Sequence, residues 1–264
     1  MPSRQIVSLR KLAVITGASS GIGFEIAAGL GRRGFDLVIA SADGNRIGRA
    51  AHILAAEFPE AIVLPLTVDL AYADGPHQLY DAVAQLKRPV EVLVNNAGIG
   101  VWGSFTDGTN LNKETAMIQT NAVSVVQLTK KFLPAMVDRR HGRLLFTASI
   151  AALTPLPMAC VYGATKAFVY AFSEGLREEL KATGVTVTAL LPDATDTNWF
   201  QRAGAGATRT AQGPLADPRD VAEAGIEAML RGDDHVVAPF KDKLQAVMAK
   251  FMPAAALAHQ SRLD

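Results

Sequence analysis

Tyr162 and Lys166 stand four positions apart in a stretch whose pattern predicts a helix from about Ala159 to Ala182. That spacing puts both side chains on one helix face. An ammonium beside a phenol favours the phenolate and draws its ordinary pKa of about 10 toward working pH. A phenol tuned in this way can act as a general acid or a general base. Ser149 follows a predicted strand, at the carboxyl end where open α/β sheets bind ligands, and its hydroxyl can hydrogen-bond a substrate oxygen. Near the start of the chain, Thr16 to Gly23 (TGASSGIG) forms a glycine-rich turn between an apolar run and a helix. Gly17 permits a tight turn, Gly21 lets the backbone approach a pyrophosphate, and Gly23 allows close helix–strand packing. The helix that follows offers unpaired N–H groups and a positive partial charge to a phosphate.

Taken singly, these residues are ordinary. A Tyr on an amphipathic helix usually packs, and a nearby Lys is usually solvated. Ser149 alone reads as a loop or capping serine, and Asn121 alone as an oddity inside a long helix. The glycine turn also has a rival reading. Gly17-Ala18-Ser19-Ser20-Gly21 matches G-x-S-x-G, which would make Ser19 a hydrolase nucleophile with His141, His235 or His259 as partner. Against it, the turn follows the first strand and leaves no upstream segment for an oxyanion loop.

The elements that must position these groups alternate along the chain. Apolar runs predict strands at Lys11 to Thr16, Phe35 to Ala40, Ala61 to Leu66, Val90 to Val94, Arg143 to Thr147, Val185 to Leu191 and Val236 to Ala238. Pro65 is expected near a strand end. Helices are predicted at Ile22 to Arg33, Arg46 to Phe58, Gln78 to Leu86, about Leu111 to Arg139 and Ala159 to Ala182. Another starts at Asp217-Pro218-Arg219-Asp220, with Asp as N-cap and Pro in the first turn. Strands alternating with helices over short connections imply an α/β fold, a doubly wound parallel sheet of about seven strands with helices on both faces. Residues 1–264 read as one domain. Two segments stand apart. Residues 193–215 include the weakly apolar QRAGAGATRTAQG and read as a lid or a disordered loop. Residues 240–264 carry Leu244, Val247, Met248 and Phe251 at helical spacing, which predicts a C-terminal helical extension.

Read together and in order, the motifs resemble the short-chain dehydrogenase/reductase family over nearly the whole chain. The T-G-x-x-x-G-x-G turn is Thr16 to Gly23, Asp69-Leu70 follows the third strand, and Asn95-Asn96-Ala97-Gly98 ends the fourth. Asn121, Ser149, Tyr162 and Lys166 match the family's four catalytic positions. The resemblance implies a Rossmann-like fold and an NAD(P)(H)-dependent oxidoreductase that interconverts a carbonyl and a hydroxyl by hydride transfer. By the same resemblance, Asp69 contacts the adenine, Lys166 also holds the nicotinamide ribose, and Asn121 positions a water linking Lys166 to solvent. The cofactor-binding set it implies is Gly17, Ser19, Ser20, Gly21, Ile22, Gly23, Ser41, Asp69, Leu70, Asn95, Ala97, Gly98, Tyr162, Lys166, Pro192, Thr195 and Thr197. No metal ligands are assigned. A non-catalytic NADP(H) sensor of the same fold is the alternative, and the intact catalytic set argues against it.

Cofactor choice lies just beyond the second strand. Ser41 stands where many NAD-preferring relatives carry Asp, so a 2′-phosphate is not repelled there, and Arg46 could add a cation. Asp43 cuts the other way, as a possible acceptor from the ribose hydroxyls. NADP(H) is favoured, with NAD(H) possible. After the sixth strand the family pattern P-G-x-x-x-T reads Pro192-Asp193-Ala194-Thr195-Asp196-Thr197, with Asp193 replacing Gly. Asp193 either turns to solvent or caps the next helix, or puts a carboxylate near the substrate mouth. Val101, Trp102, Leu153 to Met158, Trp199 and Phe200 are the candidates for an apolar pocket taking a ketone or secondary alcohol.

Bulk properties exclude other classes. Lys+Arg 26 against Asp+Glu 25 leaves no basic face for nucleic acid. No apolar run is long enough to span a bilayer, so stable membrane insertion is not expected. The first ten residues lack the apolar core of a signal peptide. The single Cys160 suits a reducing compartment and reads as an inert side chain, so a cytoplasmic location is expected. The resemblance further implies a homodimer or homotetramer built through the two long helices.

Overall fold

In the computed structural model, residues 10–238 are described, and the predicted C-terminal helix over 240–264 lies outside them. Seven parallel strands form one sheet in the order β3-β2-β1-β4-β5-β6-β7. They are β1 (Lys11–Thr16), β2 (Phe35–Ser41), β3 (Val63–Thr67), β4 (Val90–Asn95), β5 (Gly142–Thr147), β6 (Val185–Pro192) and β7 (His235–Ala238). The chain moves outward from β1 to β2 and β3, then returns to the other side of β1 with β4. This reversal opens a crevice at the carboxyl ends of β1 and β4, where such sheets bind ligands.

The continuous apolar runs of β1, β2 and β4 follow from burial on both faces. On one face, Val14, Leu93, Phe146 and Val187 pack against Leu79 and Val83 of α3 (Gly75–Ala84). Val125 and Leu128 of α5 (Ser124–Asp138) and Val169 of α6 (Cys160–Leu180) complete that layer. On the other, Ile15, Ile39 and Val94 meet Ile26 and Leu30 of α1 (Gly21–Arg32) and Leu54 of α2 (Gly44–Glu57). Ile226 of α9 (Pro218–Arg231) closes that side. Helix α9 starts as predicted: Asp217 accepts from the Arg219 N–H at 2.7 Å, Pro218 opens the first turn, and Gly232 ends the helix at φ +77°.

Three expectations change. Pro65 lies inside β3 rather than at its end. The ladder tolerates it because β3 is an edge strand, so one missing N–H breaks no inner pairing. The predicted helix from Leu111 to Arg139 divides into α4 (Leu111–Ile118), a π-helical turn (Gln119–Val123) and α5. The wide turn carries Asn121, whose side chain is engaged outside the helix, and single π turns of this kind mark functional positions. Finally, the polar segment after β6 holds two short helices, α7 (Trp199–Ala203) and α8 (Arg209–Gln212). Gly204 ends α7 at φ +78°, and the Thr208 hydroxyl caps α8 by accepting from the Ala211 N–H at 3.2 Å. Local capping there adds to the few apolar anchors of the segment, Trp199 against Tyr162 and the buried Ala203 and Ala205.

Candidate functional site

A cavity of about 1010 Å³ runs along the carboxyl ends of the strands. Its first wall is the glycine turn. Gly17 and Gly21 adopt φ +68° and +58°, which side-chain-bearing residues rarely do. A Cβ at Gly17 would stand 2.8 Å from Ala97 Cα, and one at Gly21 would stand 2.9 Å from Thr197 Cγ2. A Cβ at Gly23 would collide with Asn96 Nδ2 and the Gly17 carbonyl oxygen. The turn is therefore clamped between β4 and the segment after β6, and only glycine fits the clamp. The Ser20 side chain makes no capping bond to α1.

Asn96 organises this wall. Its Nδ2 donates to the Thr16 oxygen at 3.0 Å and to the Gly17 oxygen at 3.3 Å, and its Oδ1 accepts from the Thr147 hydroxyl at 3.2 Å. The Thr16 hydroxyl in turn accepts from the Asn96 and Ala97 N–H groups, each at 3.0 Å. One amide thus ties β1, β4 and β5 together at the crevice. Sequence reasoning chose Asn95 instead. Asn95 is buried, does not line the cavity, and donates to the Thr129 hydroxyl at 3.3 Å. A strand's alternation sends neighbouring side chains to opposite faces, which is the signal that could have separated the two.

Every other residue of the expected cofactor set lines the cavity. Asp69 accepts from the Ala71 N–H at 2.9 Å, shaping the turn after β3. Ser41 donates to Ser19 Oγ at 3.1 Å. Asp43 caps α2, accepting from the Arg46 N–H at 2.9 Å and from Arg46 Nε at 2.7 Å, and these bonds hold its carboxyl below the ordinary range. Thr195 is buried and donates to the Asp193 oxygen at 2.7 Å, while Thr197 accepts from the Trp199 N–H at 3.2 Å. Asp193 lines the cavity and accepts from the Ala194 N–H at 2.7 Å, so it does not simply turn to solvent.

The second wall carries the titratable groups. Tyr162, Lys166 and Ser149 all line the cavity. Tyr162 and Lys166 are buried on α6, with Lys166 Nζ 5.9 Å from the centroid of the phenol ring. Lys166 Nζ donates to the Thr147 oxygen at 2.8 Å. Burial pushes the Tyr162 phenol up to about 12, and a hydrogen bond with the Ser149 side chain pulls against that rise. Burial pushes Lys166 down to about 8. The expected lowering of the phenol by the neighbouring ammonium is therefore not seen. Desolvation of the phenol dominates, and the Trp199 ring packs over it at a centroid distance of 4.8 Å.

Asn121 does not line the cavity, although its neighbour Thr120 does. Its Nδ2 donates to the Ile99 oxygen at 2.9 Å and to Thr165 Oγ1 at 3.1 Å, and its Oδ1 accepts from the Ile99 N–H at 2.9 Å. Both amide protons are committed, so the side chain straps the chain after β4 to α6. Of the apolar candidates, Trp102, Leu153, Leu156, Trp199 and Phe200 line the cavity, and Val101 packs instead beside Met117 and Tyr162. Met158 is 41% exposed and outside the lining. Cys160 is exposed.

Among the described residues, no histidine lines the cavity. His141 pairs with Glu91 and His235 with Asp234, so neither stands beside Ser19, and the elbow reading lacks its base among the described residues. Glu174, Asp234 and His235 cluster at metal-ligand spacing, but none lines the cavity. Among the described residues no helix is long and apolar enough to cross a membrane. The glycines whose Cβ would clash, the helix N-terminus behind them and the volume of the cavity fit a dinucleotide laid across the switch point.

Comparison with known proteins agrees. A family model described as short chain dehydrogenase matches residues 11–207. An uncharacterized oxidoreductase of Staphylococcus saprophyticus is 32% identical over 219 residues, covering 83% of this chain and 91% of its own. Among solved structures, a short-chain dehydrogenase from Sphingobium yanoikuyae in complex with NADPH superposes with a TM-score of 0.81 at 29% identity, over 91% of this chain and 93% of its own. A short chain dehydrogenase/reductase from Burkholderia phymatum in complex with NAD gives a TM-score of 0.83 at 24% identity, over 90% and 92% of the two chains, and shares the fold.

Proposed function

The chain belongs to the short-chain dehydrogenase/reductase family, and from that premise we propose that it is an oxidoreductase interconverting a carbonyl and a hydroxyl with Tyr162 as general acid and base. The observation that carries the reading is the meeting of Tyr162, Ser149 and Lys166 in one cavity with the glycine turn. The nicotinamide group, when bound, supplies or takes the hydride. In reduction, Ser149 Oγ holds the substrate oxygen by a hydrogen bond, and Tyr162 gives that oxygen its proton as negative charge develops. In oxidation, Tyr162 takes the hydroxyl proton. Lys166, anchored on the Thr147 oxygen beside the phenol ring, steadies the phenolate by its charge. Asn121 is a positioning residue, holding the Ile99 backbone against α6.

NADP(H) is the favoured cofactor. Ser41 leaves the end of β2 without a carboxylate, and Asp43 is taken up by the α2 cap and by Arg46. The substrate end is walled by Trp102, Leu153, Leu156 and Trp199, which suits an apolar ketone or secondary alcohol. Exposed Leu111, Ile118 and Phe168 on α4 and α6 support self-association through these helices.

The test follows NADPH and NADH absorbance against a panel of ketones and aldehydes, with Tyr162→Phe beside the unchanged protein. We expect turnover to fall by about 10²- to 10⁴-fold in the variant while cofactor binding persists. Turnover that survives in Tyr162→Phe would remove the acid–base role. Tight cofactor binding without turnover on any substrate would favour a sensor.

A further inference from the structure

A second charged feature of the cavity lies away from Tyr162, beyond the β2 end. Arg46, in the first turn of α2, and Arg202, on α7, both line the cavity. The two helices come from opposite halves of the sheet. The segment after β6 comes back to the glycine turn, where Thr197 closes on Gly21, and so brings Arg202 to the cavity that Arg46 lines. Arg46 gives its Nε to Asp43 and keeps its two terminal nitrogens for other partners. Arg202 forms no ion pair among the described residues. Burial, and then the charge of Arg46, work against its charged form. Two guanidiniums lining one cavity repel each other, and an anion held by both turns that repulsion into two charge-assisted contacts. The same cavity is lined by Ser19, whose hydroxyl accepts from Ser41 and keeps its own proton for a phosphate oxygen, and by Thr210.

The place of this pair selects the phosphate. A pyrophosphate belongs at the glycine turn and the N–H groups of α1. Ser41 ends β2 and Arg46 follows on α2, where the adenosine ribose is read. We propose that Arg202 and Arg46 close from two sides on the 2′-phosphate of the adenosine ribose, so that a residue of the lid segment helps to set preference for the phosphorylated cofactor. The proposal rests on the oxidoreductase reading. A phosphomonoester carries close to two negative charges at neutral pH and three strong acceptor oxygens, enough for both guanidiniums. Helix α7 then joins the two ends of the cavity, since Trp199 packs on Tyr162 and Arg202 lies three residues further along the same short helix. Seating α7 over a substrate and holding the 2′-phosphate become one motion. By linkage, substrate should tighten NADPH more than NADH.

Titration calorimetry on the full chain tests this with NADPH, NADH, 2′,5′-ADP and 5′-AMP. The proteins compared are the unchanged one, Arg202→Ala, Arg202→Lys and Arg46→Ala. We expect Arg202→Ala to weaken NADPH and 2′,5′-ADP by about 10- to 100-fold, while NADH and AMP change by less than about twofold. Arg202→Lys should fall between, because the charge remains and the planar fork is lost. Equal weakening of NADPH and NADH would put Arg202 on the pyrophosphate and overturn the proposal. No weakening of either would overturn it too. If the unchanged protein binds neither dinucleotide, the oxidoreductase reading falls and this proposal with it. If it binds NADH tightly and NADPH poorly, only the proposal falls.

Discussion

Lys166→Met measures what it costs the fold to hold an ammonium beside the phenol. Lys166 is 5% exposed and has no carboxylate partner among the ion pairs of the described residues. Its pKa falls from 10.5 to about 8 by desolvation. A displacement of that size corresponds to about 3 kcal/mol. Because the folded pKa is depressed, the contribution is fully present above 10.5, where the amine is neutral folded or unfolded. It is lost as pH falls through about 8, where the folded protein must carry a buried charge. Methionine has nothing to titrate. Relative to the variant, the unchanged protein should therefore lose stability from about pH 9.5 to about pH 6.5, by about 2 kcal/mol of the whole. Loss of the bond to the Thr147 oxygen adds an offset of about 1 kcal/mol that does not vary with pH. The Tyr162 phenol, raised to about 12, stays protonated across this window, and its own loss of stability begins only above about pH 10. Urea denaturation at several pH values gives the difference directly. A difference that stays constant with pH would refute the reasoning, because Lys166 would then titrate alike in the folded and unfolded chain.

Two further substitutions probe the scaffold. Gly23→Ala drives a methyl into Asn96 Nδ2 and the Gly17 oxygen, and should cost about 1–3 kcal/mol in denaturation together with most of the dinucleotide affinity; unchanged binding would show that the turn can give. Asn121→Leu leaves the Ile99 N–H and carbonyl unpaired and should lower stability by about 1–3 kcal/mol. If Asn121 acts by positioning, kcat should fall with little change in the pH profile, whereas a displaced pH optimum would argue for a direct place in proton transfer.

The alternation of apolar runs and helices and the caps at Asp217 and Gly232 were legible because each is a local requirement. The glycines at Gly17, Gly21 and Gly23 were legible because their spacing is a motif, although what they avoid is distant in sequence. The parallel, doubly wound sheet followed from the alternation of strands and helices, while the order of its strands came from the tertiary pairing. Motif order also brought Ser149, Tyr162 and Lys166 into one reading, although they lie on separate elements. What the linear chain withheld depends on which distant groups share a volume. Asn95 and Asn96 are chemically identical; strand alternation puts them on opposite faces, and the packing of β1, β4 and β5 decides which one meets the core and which one crosses the crevice. Asn121 reads as a helical residue until a π turn lets it bond Ile99. Arg202 sits in a polar segment with no periodic signal, and its partner Arg46 is far off in sequence. Spacing on one helix foretold that Tyr162 and Lys166 would be neighbours. Their protonation was decided by burial, because desolvation depends on every side chain that excludes water from the site, and no short stretch of sequence carries that sum.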